Sequence, residues 1–466
     1  MNLRGRSETT LRLPARIKAG RVLHATFILS LALAVFLPLS MQSAYASSGS
    51  LFVPTHMVFI VLENHPLSNT GVSCSTLGAH GVLQCAPYLV HIGTQYANST
   101  DYVGPNSTSD SNFNSLPNYL VLLSGSNWGC QGYDGNPNSG GCTTSPWTCA
   151  GTCTLVDLLE SRNITWKAYM EGMSASNICN GGGSNDNSGG TTNYIAHHDP
   201  FVYFNNIAGN SNRCINVVST TNYETSCTTT QSNADSALLS DLNASNTPAF
   251  MWLTPNNYDN SHDCTLGQGA NTFAQYIVPK ILNSKTFLND PTATLWITFD
   301  EPSTGTYGTT PVYMAVLGPG AKTAYTSGAT LYTHRSLLHT FETNFSAGCI
   351  YPSHQDCAAS TMFEFTKPDF YMNPGTWGCA MVTSCNLTIT LLSINGFNGY
   401  VLLSLLYWPT YTYTPSNVTV SPGIHSTSAL VISGTCSLAR PSIKAVSSIG
   451  TSAYGPGGIT CPISPK

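Results

Sequence analysis

Charge is what this chain lacks most. Its 466 residues carry 17 Lys and Arg against 22 Asp and Glu, 8% in all. Residues 1–46 hold six of the basic residues and one acidic residue, leaving 11 against 21 beyond them, a net of −10. No basic patch survives, which excludes nucleic acid as a partner. Long apolar runs are scarce too. The one candidate runs from Ala25 to Leu39 and is short for a membrane-spanning helix. Cysteine is absent before Cys74, then occurs 16 times: twelve from Cys74 to Cys357 and four from Cys379 to Cys461.

What is present begins with a leader. Arg4, Arg6, Arg12, Arg16, Lys18 and Arg21 precede the apolar run, and Ala44-Tyr45-Ala46 follows it. That pattern predicts a secretory signal over 1–46, with the rest exported, or anchored if the segment stays uncleaved. In an exported chain, even numbers of cysteines in each part predict disulfides. Cys149-Ala-Gly-Thr-Cys153 fits a disulfide better than a metal clip, because no Cys or His pair sits at a matching distance. Asn98, Asn106, Asn163, Asn243, Asn344, Asn386 and Asn417 stand in N-glycosylation acceptor sequences. A 42% hydrophobic content speaks for a folded protein with a hydroxyl- and amide-rich surface. The length calls for two domains.

From His56 the pattern alternates buried strands with amphipathic helices. Met57–Leu62, Thr165–Tyr169, Ala249–Leu253, Ala293–Phe299 and Pro311–Leu317 read as strands, with Tyr96–Tyr102 a shorter one. Ala86–Gln95, Leu155–Glu160, Ala237–Asn243 and Asn271–Leu282 read as helices, and another starts at His334. Residues 125–152 form a Gly/Asn/Cys loop. After Pro368 the texture changes to short alternating segments around the turn Asn395-Gly-Phe-Asn-Gly399, as in a β-sandwich.

Polar groups gather where these strands end. Glu63-Asn64-His65 follows the first, Thr254-Pro-Asn and His262-Asp263 follow the third, and Asp300-Glu301 follows the fourth. The carboxyl edge of a parallel sheet is where ligands bind. Vicinal carboxylates call for a counter-charge such as a divalent cation. Ser115-Leu-Pro-Asn-Tyr119 opens an apolar helix, and a helix N-terminus stabilises an anion, whether a phosphate or the Ser115 alkoxide. His197-His198-Asp199-Pro200 suits proton transfer or metal binding, and equally a turn fixed by proline.

In this order, Glu63-Asn64-His65, Ser115-Leu-Pro-Asn-Tyr119, His198-Asp-Pro-Phe, Thr254-Pro-Asn…His262-Asp263, Thr298-Phe-Asp300-Glu301 and Thr333-His334-Arg-Ser336 resemble a known family. It is the metal-dependent phosphoesterases that include bacterial phospholipases C and secreted acid phosphatases, within the alkaline phosphatase superfamily. The resemblance covers roughly residues 54–350. It implies an α/β fold, an alkaline-phosphatase-like, mostly parallel sheet flanked by helices, over residues 50–368. A small all-β sandwich over 369–466 resembles the immunoglobulin-like repeats of exported archaeal proteins.

By the same resemblance Ser115 is the nucleophile and forms a phosphoseryl intermediate. Glu63, Asn64, Asp300 and Glu301 hold a divalent metal ion together with Ser115. His262 and His334 contact phosphate or a second metal, and His198 faces the substrate. Two departures argue for a single cation: Asn260 stands where the family has Asp two places before His262, and no Asp-His pair follows Glu301 within 302–311. The implied function is a secreted acid-phosphatase-type phosphomonoesterase acting on small phosphate esters. The alternatives are a phospholipase C, with Trp128, Trp147, Trp166 and Tyr194 available to a choline cage, and a non-catalytic cell-surface binding protein. The C-terminal module suggests cell-surface or polysaccharide contact.

Overall fold

The computed structural model describes residues 56–367 apart from 78–79, 105–113, 181–192, 221–225, 228–234, 303, 306–307, 329, 346 and 351–355, and beyond them the strands between 369 and 456. The expected leader over 1–46, the acceptor Asn106 and the turn residues 395–398 lie outside the described residues.

Six consecutive apolar residues, Met57–Leu62, form β1, and all six are buried. A strand buried on both faces needs neighbours on both edges and layers above and below. β1 has them: it pairs in parallel with β5 (Phe250–Thr254) on one side and β6 (Thr294–Phe299) on the other. The sheet continues outward through β3 (Trp166–Glu171) and β4 (Val217–Thr220) beyond β5. Beyond β6 come β7 (Met314–Leu317), β2 (Ala97–Ser99) and β8 (Tyr325–Ser327). The order of the eight strands is β4-β3-β5-β1-β6-β7-β2-β8. β7 runs antiparallel to both neighbours and the other pairings are parallel, so the sheet is mostly parallel as expected. The expected strand over Pro311–Leu317 contracts to Met314–Leu317, and the one over Tyr96–Tyr102 contracts to Ala97–Ser99.

The longer helices match the periodic segments. They are α1 (Pro87–Gln95), α2 (Ser115–Ser124), α3 (Leu155–Ser161), α4 (Ser236–Asn243), α5 (Ala270–Leu282) and α6 (His334–Asn344). Proline at the first position of α1 fixes φ where no N–H is needed. At α6, the Thr333 hydroxyl accepts from the Ser336 N–H and the Ser336 hydroxyl accepts from the Thr333 N–H, a reciprocal cap. The core joins both faces of the sheet. Phe59 packs edge-on against Trp252 and Phe341, and both strand tryptophans donate their indole N–H to a threonine of their own strand, Trp252 to Thr254 and Trp296 to Thr294.

Six disulfides pair all twelve cysteines between Cys74 and Cys357: 74–85, 130–142, 149–153, 179–214, 227–264 and 349–357. Each is local in sequence, pinning the loops between elements. The Cys149–Cys153 bond is the expected one.

Beyond residue 368 the chain forms β9 (Asp369–Met381), β10 (Ser384–Ile394), β11 (Gly399–Leu406), β12 (Thr412–Tyr413), β13 (Asn417–Val420), β14 (His425–Ser433), β15 (Ser442–Ser447) and β16 (Ser452–Pro456). They make two four-stranded antiparallel sheets, β12-β14-β10-β9 and β13-β11-β15-β16.

Candidate active site

The carboxyl ends of β5, β1 and β6 lie side by side because these strands are neighbours. The residues that leave them therefore converge: Glu63 and Asn64 after β1, Asp300 and Glu301 after β6, and the 255–263 loop after β5. Asn64 sits at φ 61°, a left-handed conformation that asparagine tolerates better than most residues. That turn aims its backbone N–H at Asp300 Oδ1, 3.0 Å away. Strain held at such a place goes with a functional constraint.

α2 presents its first residue to this edge. Ser115 is buried and its hydroxyl donates to Glu63 Oε2 at 2.9 Å. Three and four residues on, one helical turn brings two more side chains to the same face. Asn118 Nδ2 donates to Glu301 Oε2 at 2.9 Å, and the Tyr119 hydroxyl donates to Glu63 Oε1 at 2.5 Å. The sequence shows both residues without a role for either, although their spacing from Ser115 carries the signal.

Glu63, Asp300 and Glu301 are all buried. Burial pushes the Glu63 carboxyl well above the usual range, and Asp300 and Glu301 push it further. Burial raises Asp300 to about 7. Glu301 is raised by burial, then by Asp300 and Asp134. Among the described ion pairs only His198 approaches any of the three, with Nε2 3.4 Å from Glu63 Oε1. Asp300 Oδ2, fully buried, has no hydrogen-bond partner. Buried carboxylates of one sign with an oxygen left over are the donors that a hard divalent cation takes. Glu63, Asp300 and Glu301, beside Asn64 and the Ser115 hydroxyl, are donors of that chemistry, but the three carboxylates do not bring one oxygen each within 4.8 Å of one another. The one three-residue cluster of ligand type at close range among the described residues is Glu342, Cys349 and Cys357, and its cysteines are bonded to each other.

The histidines separate by environment. His198 is buried and stacks on the Tyr119 ring at 5.1 Å. Burial, then His197 and His262, hold it well below its ordinary pKa, so it is neutral. His262 lies 5.8 Å from His198 and, with its side chain 36% accessible, is the more open of the two. Burial works against its charge, but the hydrogen bond from Nδ1 to Asp263 Oδ1 at 2.7 Å and the charges of Asp263, Asp300 and Asp134 raise its pKa. His334 stands apart. Its Nδ1 accepts from the Tyr102 hydroxyl at 2.6 Å and its Nε2 faces the Asp300 carbonyl oxygen at 2.6 Å. Both nitrogens are committed, and burial lowers its pKa to about 3. A neutral ring with Nε2–H holding the Asp300 backbone satisfies both contacts. The phosphate or second-metal contact that the resemblance implies for His334 would need a nitrogen that this structure spends on the fold. The two ring nitrogens of His65 lie 3.1 Å and 3.2 Å from the carbonyl oxygens of His80 and Ser261, and the neutral ring donates to one of them, between the end of β1 and the His262 loop.

Residues 109–347, just over half of the chain, match the model of the phosphoesterase family. The chain is 26% identical over 262 residues to an acid phosphatase of Aspergillus fumigatus, which covers 56% of this chain and 51% of that protein. It is 24% identical over 223 residues to a phosphate-repressible acid phosphatase of Penicillium chrysogenum, covering 47% and 48%. The chain spans about half the length of the curated relatives it matches. Among solved structures, Ps i-CgsB in complex with k-i-k-neocarrahexaose aligns over 72% of this chain and 84% of its own, at 11% identity and a TM-score of 0.37, too slight to carry weight. On the extent of the family match, the chain belongs to the phosphoesterase family.

Proposed function

We propose that this protein hydrolyses phosphomonoesters in the manner of an acid phosphatase, with Ser115 as the nucleophile. The observation that carries this reading is the placement of the Ser115 hydroxyl: first residue of a buried helix, donating to Glu63, with Asp300 and Glu301 beside that carboxylate. In its ionised form, which a cation held beside it would favour against the effect of burial, Glu63 accepts the hydroxyl proton at Oε2 as Ser115 Oγ bonds to phosphorus and the ester P–O bond breaks. His262, with its raised pKa, faces the phosphoryl oxygens as a cation at acid pH and protonates the leaving oxygen. His198, neutral and packed on Tyr119, orients the substrate. Water then attacks the phosphoserine, giving a proton to the now neutral His262, while the P–Oγ bond breaks and Glu63 returns its proton to Ser115, so phosphate is released and both groups are restored. When bound by Glu63, Asn64, Asp300 and Glu301, a divalent cation supplies positive charge that favours the Ser115 alkoxide.

No observation favours phospholipid. Trp166 stacks on Phe201 and Tyr194 is buried with its hydroxyl donating to Asp199 Oδ2, so two of the four aromatic residues available to a choline cage are committed to the interior. The disulfides and the leader sequence support secretion, and the two four-stranded antiparallel sheets beyond residue 368 support the reading of an immunoglobulin-like module. Ser115→Ala should lower p-nitrophenyl phosphate turnover by at least about 10³-fold, and a chelator should do the same to the intact protein. p-Nitrophenyl phosphorylcholine should not be hydrolysed. Unchanged turnover in Ser115→Ala removes the nucleophile from the scheme, and an inert parent protein leaves the binding-protein reading.

A further inference from the structure

We propose that Asp134 is a positioning residue for Ser115, and that the Cys130–Cys142 disulfide holds it in place. The inference rests on the assignment of Ser115 as nucleophile.

Helix α2 begins without a cap of its own. Asn114 occupies the N-cap position with extended backbone, φ −139° and ψ 136°, yet its side chain accepts no N–H from the first turn. An asparagine there ordinarily would. The first turn is short of donors and partners alike, since Pro117 has no N–H. Asp134, 18 residues beyond Leu116, takes over the role. Its Oδ1 accepts the Leu116 N–H at 2.9 Å, and its Oδ2 accepts Asn114 Nδ2 at 2.5 Å. One carboxylate therefore grips the residues on both sides of Ser115. An acceptor of negative charge at a helix N-terminus is also favoured by the helix dipole.

The grip has an electrostatic cost. Asp134 adds its charge to that of Asp300 in raising Glu301, in a site already crowded with carboxylates. A neutral amide would avoid that repulsion but offer one acceptor oxygen in place of two, so the carboxylate contributes the two-point hold on Asn114 and Leu116 beside its support of the His262 charge. Asp134 in turn belongs to a loop closed by the Cys130–Cys142 bond, with Cys130 fully buried. Just outside that bond, Thr143 N–H donates to the Gly129 carbonyl at 3.3 Å and Thr144 N–H to the Trp128 carbonyl at 3.1 Å, which anchors the base of the loop. The path runs from disulfide to Asp134 to the start of α2, and misplacing a nucleophile by an ångström can cost about 100-fold in rate.

The test is steady-state kinetics on p-nitrophenyl phosphate with six intact chains: parent, Ser115→Ala, Asp134→Ala, Asp134→Asn, Cys130→Ser/Cys142→Ser, and Asp134→Ala combined with that cysteine pair. Asp134→Ala should lower kcat about 10- to 100-fold with KM within about twofold. Asp134→Asn keeps one acceptor for Leu116 N–H and should recover part of the loss, which separates positioning from misfolding. The cysteine pair should lower kcat by less, and adding Asp134→Ala to it should cost less than in the parent, because both act on one contact. A parent-like kcat in Asp134→Ala and Asp134→Asn overturns the proposal, as does a loss carried by KM. Equal fold-losses in both cysteine backgrounds overturn the disulfide's part. A Ser115→Ala chain that still turns over substrate overturns the nucleophile assignment; a dead Ser115→Ala beside an unimpaired Asp134→Ala overturns the positioning role alone.

Discussion

The Glu63 carboxylate gathers three side-chain donors: Ser115 and Asn64 reach Oε2, while the Tyr119 hydroxyl takes Oε1, with His198 3.4 Å from the same oxygen. A fully buried carboxylate depends on such donors, because each one removed leaves an unsatisfied charge or forces a proton on. Tyr119→Phe keeps the ring stacked on His198 but deletes the 2.5 Å bond. It should destabilise the fold by about 1–3 kcal/mol, read as a lowered urea midpoint. The same variant should lower turnover, whereas a purely architectural tyrosine would leave turnover of the folded fraction unchanged. At this scale the sequence displayed the polar residues but not their division of labour. Nothing in the sequence around His334 indicates that Tyr102 and the Asp300 carbonyl will claim both ring nitrogens, since those partners lie 232 and 34 residues away.

Among the elements, α2 matters most, and both its ends are held by the fold. Every residue from Ser115 to Ser124 is buried, so the helix cannot rotate without exposing its core face. Its C-terminus is stopped by Gly125 at φ 71°, with the Gly125 N–H closing onto the Val121 carbonyl. A Cβ added there would also meet the Asp356 carboxyl carbon at 3.1 Å. Gly125→Ala should therefore cost about 1–2 kcal/mol from the left-handed backbone, with crowding added, measured by chemical denaturation. A parent-like midpoint would show that the end of α2 relaxes freely. The helix was legible from its apolar run, its early proline and its terminal glycine. The reversal of β7 was not, because an apolar run of four buried residues reads alike in either direction.

Across the whole molecule, scarce cations leave several buried carboxyls to hold protons. Burial and Asp356 raise Glu342 to about 9, and burial and Asp259 raise Asp235 to about 8. The folded chain keeps protons that the unfolded chain releases near pH 4, so the contribution of these groups is fully present below about pH 4 and is lost as pH rises through 8 to 9. Thermal midpoints should therefore fall from mildly acidic to alkaline pH, and Glu342→Gln should flatten that slope. A midpoint that rises toward pH 9 would contradict it. The sequence by itself determined the alternation of buried strands and amphipathic helices, the chemistry waiting at each strand end, and the serine at the start of a helix. Those follow from periodicity, turn residues and caps, all of which act over a few neighbours. Only the tertiary structure decided that β5, β1 and β6 are adjacent, that Asp134 reaches back to cap α2, and that His334 braces Asp300. These depend on strand order and on contacts between residues 18 to 236 positions apart, which no local pattern encodes.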